Sequence, residues 1–207
     1  MDLKLEYAPG ATPPPLDSDE REGLIPSYIT LQSQLNEFEE ANILEARGWA
    51  YARRRGDPLD REFIRSVHRR MFNKTWRWAG EFRWSEKNVG GAWTDIPVRL
   101  FQLTEDVRAQ IQYKAYSPHE IAARFHHRLV SIHPFPNGNG RHSRFMADLL
   151  LKDLTGEEFT WGRGTLTDAG ELRDRYIDAL RDADRGDCSA LLRFLNISKA
   201  TSDSNTP

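Results

Sequence analysis

This 207-residue chain predicts an all-α fold, and three observations support that reading. Strong helical patterns lie on both sides of a glycine-rich loop at 133–144. Helix-start signals precede the apolar runs, and those runs recur at three- and four-residue spacing. Only residues 81–97 break that spacing: Phe82 and Trp84 alternate, and Gly90-Gly91 precede Trp93, which predicts a small β-hairpin.

Taken in order, residues 1–23 hold Pro13-Pro14-Pro15 and a cluster of acids, the composition of an extended arm. Over 31–55, Leu35, Phe38, Leu44 and Trp49 predict a helix ending near Gly56, with Arg53-Arg54-Arg55 matching the negative end of its dipole. Asp60 is a candidate cap for the next helix, with Phe63, Val67 and Met71 turned inward. Thr104 to Tyr113 is helical through Val107 and Ile111. Ser117 then reads as an N-cap, with Pro118 at the first helical position and Glu120 closing a capping box. Ile121, Phe125, Leu129 and Ile132 mark one face of that helix, and a further helix runs from Arg141 to Leu154. Thr155-Gly156 stops it. Asp168 with Glu171 forms a second capping box before Leu172, Tyr176, Leu180 and Ala183, and Asp187 to Asn196 makes the last helix. The division expected is an arm (1–23), one domain (24–197) and a disordered tail (198–207).

Composition narrows the classes. Hydrophobic content of 39% is ordinary for a globular protein with a sizeable core. A net charge of −2 gives no reason to expect direct nucleic-acid or membrane binding. No apolar run is long enough to span a bilayer, and Met1 opens no signal segment. Cys188 is the sole cysteine, so the expectation is a cytoplasmic protein without an intrachain disulfide.

The chemistry concentrates in His133-Pro-Phe-Pro-Asn-Gly-Asn-Gly-Arg-His-Ser-Arg144. Gly138 and Gly140 tolerate positive φ and let backbone N–H groups approach a ligand. The loop enters a helix, where orphan amides and the dipole favour phosphate. Arg141 and Arg144 stand three apart, so one helical face can offer both guanidiniums to an anion. Asn137 and Asn139 supply carbonyl oxygens for a metal or for turn closure. His133 is the proton acceptor suited to neutral pH. This is no P-loop, because no Lys-Ser/Thr pair follows the glycines. His126 and His127 lie about two turns before His133, too far to share one ion with it. His126 reads as structural and His142 as solvent-facing.

Residues 133–144 resemble the Fic signature H-P-F-x-(D/E/N)-G-N-G-R-x-x-R at every specified position. Trp76-Arg77-Trp78-Ala79-Gly80-Glu81-Phe82-Arg83 and the segment to Gly91 resemble the substrate-docking flap of that family. The chain is similar to the bacterial Fic subgroup labelled "mobile mystery protein B". The resemblance implies a Fic-type helical bundle with a hairpin flap, moving AMP from ATP to a hydroxyl of a target protein with Mg²⁺. It implies that His133 takes the hydroxyl proton, that amides around Gly138, Asn139 and Gly140 hold the diphosphate with Arg141, and that Arg144 pairs with the γ-phosphate. Phe135 would anchor the loop.

Many active members carry an acid where this chain has Asn137, so Asn137 as metal ligand would bind Mg²⁺ more weakly. Transfer of a different nucleotide or a phosphate, and a non-catalytic nucleotide- or protein-binding module, remain alternatives. The resemblance also implies an inhibitory helix (31–55): Asn36-Glu37-Phe38-Glu39-Glu40-Ala41-Asn42 partly matches the family's (S/T)-x-x-x-E-G-N, with Glu40 competing for Arg144. Lys87 and Asn88 are the flap residues expected to meet the target, and a helix-turn-helix protein is the partner that the resemblance suggests.

Overall fold

The computed structural model describes residues 23–52, 56–87, 89–161 and 169–195, and the regular elements among them are helical. They are α1 (Gln32–Ala52), α2 (Arg61–Phe72), a 3₁₀ turn (Trp93–Asp95), α3 (Ile96–Gln112), α4 (Pro118–Ile132), α5 (Asn139–Thr155), α6 (Ala169–Asp184) and α7 (Ser189–Leu195). None of them is long and apolar enough to cross a membrane. The arm, the Arg53–Arg55 triplet, Asn88, the Asp168 cap and the tail lie outside the described residues, as does the side chain of Glu171 that would complete the cap.

By contact, the chain divides into two compact units. The first is drawn from Met1–Leu100 with Ile132–His142, the second from Phe101–Ser131 with Ser143–Pro207. In the first, α1 packs on α2. The buried stripe of α1 is Leu35, Glu39, Asn42, Ala46 and Ala50, while Leu44, one of the apolar positions that predicted the helix, is 70% exposed. The spacing of four, three, four and four is one helical face, so two polar side chains share it with three apolar ones. Asn42 justifies its burial by bonding Arg70 O (2.9 Å) and accepting from Lys74 N (3.0 Å) at the end of α2. Asp60 caps α2 by accepting from Phe63 N at 2.7 Å. Ile64, Val67, His68, Met71 and Phe72 are its buried residues, and Trp76 stacks on Trp78 beyond it at 4.9 Å.

The expected hairpin is not seen among the described residues. An isolated β-bridge joins Leu24 to Trp76, and residues 81–87 and 89–92 take an irregular path. A side chain replaces the ladder. Arg83 donates to the carbonyls of Ser85 (2.9 Å) and Gly91, and Gly90 turns at φ +100°. Carbonyls satisfied by a buried guanidinium need no opposing strand. Helix α3 therefore starts at Ile96, earlier than the Thr104 that periodicity suggested.

In the second unit, Ser117 caps α4 by accepting from Glu120 N at 3.2 Å, but the reciprocal half of the box is absent. Glu120 pairs with Arg124 instead (2.8 Å). Phe125, Leu129, Phe145, Met146, Leu150, Leu191 and Phe194 belong to this unit's core. Asp148 on α5 accepts from Trp161 Nε1 (2.8 Å) and Phe159 N (3.3 Å), fastening the segment that follows Gly156. Gly156, at φ +82°, ends α5 as expected, with its N–H on Lys152 O.

Three histidines are buried within these units. Burial lowers His142 to about 4 and His126 to about 3; it also places His68 well below the usual range, helped by His142. The unfolded rings return to about 6.5, so the unfolded chain binds protons first as pH falls. Stability should be full above about pH 6.5. Below that it should decline towards pH 4 and 3, by up to about 1.4 kcal/mol per unit for each ring. Urea midpoints should match at pH 7 and 8 and drop at pH 5.5, before most carboxylates titrate; equal midpoints at all three would refute this.

Candidate active site

The signature loop follows directly from the end of α4. His133 adopts φ +53°, a left-handed conformation costly for a residue with a Cβ. Its carbonyl accepts from Arg83 Nε at 2.7 Å, and the next carbonyl, of Pro134, accepts from Arg83 N at 2.9 Å. Phe135 is fully buried and stacks on the His68 ring at 3.7 Å, as an anchor should.

The turn is closed by side chains. Asn139 Oδ1 accepts from Phe135 N (2.9 Å) and its Nδ2 donates to Phe135 O (2.8 Å). Both ends of that amide are engaged, so the side chain of Asn139 closes the turn and is not offered to a metal. His68 receives Gly80 N–H on Nδ1 (2.9 Å) and donates from Nε2 to Asn137 O (3.1 Å), which fixes its tautomer. His142, expected to face solvent, is 0% exposed: its Nε2 donates to Ile64 O at 2.9 Å. Signature position 142 is therefore a core position.

Gly138 and Gly140 are glycines for different reasons. Gly138 sits at φ +77°, and a Cβ there would stand 2.5 Å from the Phe72 ring. At Gly140 a Cβ would meet nothing within 4 Å. Packing demands the first glycine and not the second.

Asn139, Gly140 and Arg141 form the first turn of α5, where the amides and the dipole favour an anion. Arg141 packs over the Phe72 ring (5.0 Å) and donates from Nη1 to Glu39 Oε2 at 2.6 Å. Glu39 is 4% exposed, and its other oxygen accepts from Trp76 Nε1 at 2.6 Å. Glu40, one residue on, is exposed. Helical phase decides this: Glu39 lies four after Leu35 on the buried stripe, and Glu40 is turned about 100° away. The carboxylate brought to the signature is Glu39, and the arginine it meets is Arg141. Arg144 lies one turn further along α5. In the second unit it stands over the Tyr176 ring (6.0 Å), whose hydroxyl bonds His126 Nε2 (3.0 Å). Burial pushes that hydroxyl up to about 12.

The Oδ1 of Asn137 accepts from Gly138 N and is a neutral oxygen at the mouth of the turn. No group of three His, Cys, Asp or Glu among the described residues could hold a metal alone. In the flap, Lys87 is half-buried and its ammonium is lowered by burial. Three contributors escaped the sequence reading: Glu39, His68 and Arg83. The first two carried a signal, a polar residue on an otherwise buried stripe. Arg83 carried none, since its apolar neighbours Phe82 and Trp84 suggested a strand.

Residues 58–151 match the model of the Fic/DOC family, a span that contains the loop at 133–144. The protein adenylyltransferase Fic of Aedes aegypti is 34% identical over 119 residues, and that of Culex quinquefasciatus 31% over 120. Each match covers 56% of this chain and 22% of the relative, so the similarity spans about a fifth of those proteins. The fold is shared with BepC of Bartonella tribocorum, solved with AMPPNP (TM-score 0.61, 20% identity, 86% of this chain and 96% of that one). It is also shared with the N-terminal Fic domain of a Bartonella quintana effector (TM-score 0.66, 18% identity, 86% and 92%).

Substitution of the two glycines should separate packing from ligand approach. Gly138→Ala should cost about 2–5 kcal/mol, from left-handed strain plus the clash with Phe72. Gly140→Ala should leave stability within about 1 kcal/mol while weakening nucleotide binding. Urea unfolding and ATP calorimetry on both proteins check this.

Proposed function

We propose that this chain is a protein adenylyltransferase, moving AMP from ATP to a hydroxyl side chain of a protein. One observation carries the reading: an imidazole on a backbone braced by buried side chains directly precedes a turn that opens into a helix N-terminus bearing Arg141. The names of the matching relatives support it. His133 would take the proton of the target hydroxyl as its oxygen attacks the α-phosphorus. Pyrophosphate would leave, its charge met by the first-turn amides of α5 and by Arg141, with Arg144 towards the γ-phosphate. Open space at Gly140 is where a phosphate can approach the backbone.

Mg²⁺ fits this site as a companion of the nucleotide. Magnesium commonly takes one or two protein oxygens and completes its shell with phosphates and water, and Asn137 Oδ1 can supply one oxygen. Bound so, the ion would neutralise phosphate charge. Asn137 lacks the carboxylate charge that would strengthen this hold, so Asn137→Asp should lower the Mg²⁺ concentration needed for half-maximal labelling. The ATP requirement and the single cysteine favour a cytoplasmic setting.

The same site is autoinhibited in our reading, through Glu39. The polyphosphate and this buried carboxylate compete for Arg141. Glu39→Gln keeps an acceptor for Trp76 and removes the charge that holds Arg141, whereas Glu40→Gln changes an exposed side chain.

Incubation with α-labelled and γ-labelled ATP tests the whole reading. Label from the α-position should appear on protein, fall at least ~10²-fold in His133→Ala, and rise in Glu39→Gln but not in Glu40→Gln. γ-Label on protein would make the chain a kinase instead. Calorimetric ATP binding without either label would make it a nucleotide-binding module, the alternative that Asn137 keeps open.

A further inference from the structure

We propose that Arg83 is a positioning residue for His133, a buried latch that holds the flap and the base in one geometry. The inference rests on the adenylyl-transfer reading only where a rate is measured.

Arg83 is 2% exposed, among the largest fully buried side chains of the described residues. Its polar contacts run mainly to backbone: Nε to His133 O (2.7 Å), Nη1 to Ser85 O (2.9 Å), and Nη2 to Gly91 O. Its own N–H goes to Pro134 O (2.9 Å), and the nearest carboxylate, Glu86, stands at 3.8 Å. One planar guanidinium therefore ties residues 85 and 91 of the flap to residue 133. Lysine cannot do this, because its ammonium is a compact point charge and not a fork of fixed geometry. The latch acts where support is needed, on the carbonyl of a residue at φ +53°. Gly90 completes it: a Cβ there would meet Arg83 Nη2 at 2.9 Å, His133 Cβ at 3.0 Å and Ile132 O at 3.1 Å. The flap backbone thus rests on the Cβ of the base, and the guanidinium locks it there.

A misplacement of about 1 Å costs on the order of 10²-fold in rate when binding contacts survive. Arg83→Lys and Gly90→Ala should each lower kcat for α-label transfer about that much, with calorimetric ATP affinity within about twofold, since the α5 amides and Arg141 are untouched. A second readout needs no catalysis. In NMR spectra of both variants the His133 ring signals should shift and amides of residues 85–91 exchange faster, while the buried His126 ring stays unchanged. Gly90→Ala guards against a misfolded Arg83→Lys, because it keeps the arginine and disturbs the latch only through the close approach of its Cβ to Arg83 Nη2 and His133 Cβ. Unmoved His133 signals and unchanged flap exchange in folded variants would overturn the latch. Shifted signals in a protein that transfers no label would uphold the latch and sink the adenylyl-transfer reading. An equal fall in ATP affinity and rate would reduce Arg83 to general support and overturn the proposal.

Discussion

A chain that turns from one helix into the next within the six residues 133–138 cannot satisfy its own backbone, and every feature of the site follows from how the surrounding side chains do it instead. Buried amides and carbonyls need partners, and here helix ladders supply few of them. Asn139 closes the turn on Phe135, His68 takes Asn137 O, and Arg83 takes His133 O. Each bond alone contributes only about 0.5–1.5 kcal/mol net. Losing one partner costs more, because the orphaned group stays buried. The loop is consequently rigid for reasons lying outside it, in α2, in the flap and at the start of α5. Rigidity of this kind suits group transfer, where positioning and fixed dipoles supply most of the acceleration.

Legibility in the sequence followed the same division. Helices were readable wherever one face is purely apolar: α4, with Ile121, Phe125, Leu129 and Ile132, came out nearly to its ends. The signature loop was readable because its residue types are chemically specific. Failures came where side chains do the work of backbone. The alternation of Phe82 and Trp84 resembles a strand, yet Arg83 between them points into the core and takes the carbonyls that a partner strand would have bonded. Leu44 marked the helix by its hydrophobicity and is exposed, whereas Glu39 and Asn42 are buried by the phase of the stripe. Hydrophobicity ranks residues, but phase chooses the face. His142 was misplaced for a related reason: a polar residue after the glycines suggested solvent, and nothing local announced the Ile64 carbonyl 78 positions away.

The Glu39–Arg141 pair also bears on how the site must treat a nucleotide. Arg141 is about one-third exposed, and Glu39 is nearly sealed. Drawing the arginine towards a polyphosphate exchanges one anion for another on the cation, so Arg141 itself loses little. The cost falls on Glu39, left in a dry setting with the Trp76 N–H still donating to it. An uncompensated buried charge is expensive, by about 3–5 kcal/mol when a fully buried pair is broken. Exposure on the arginine side reduces that figure, but it does not change its sign. If the site takes a nucleotide as proposed, its affinity is set by two terms, the donors of α5 and the desolvated carboxylate on α1. Any event that hydrates Glu39, including movement of α1 away from α2, would shift binding without touching a signature residue. On that argument α1 belongs to the active site as much as the loop does.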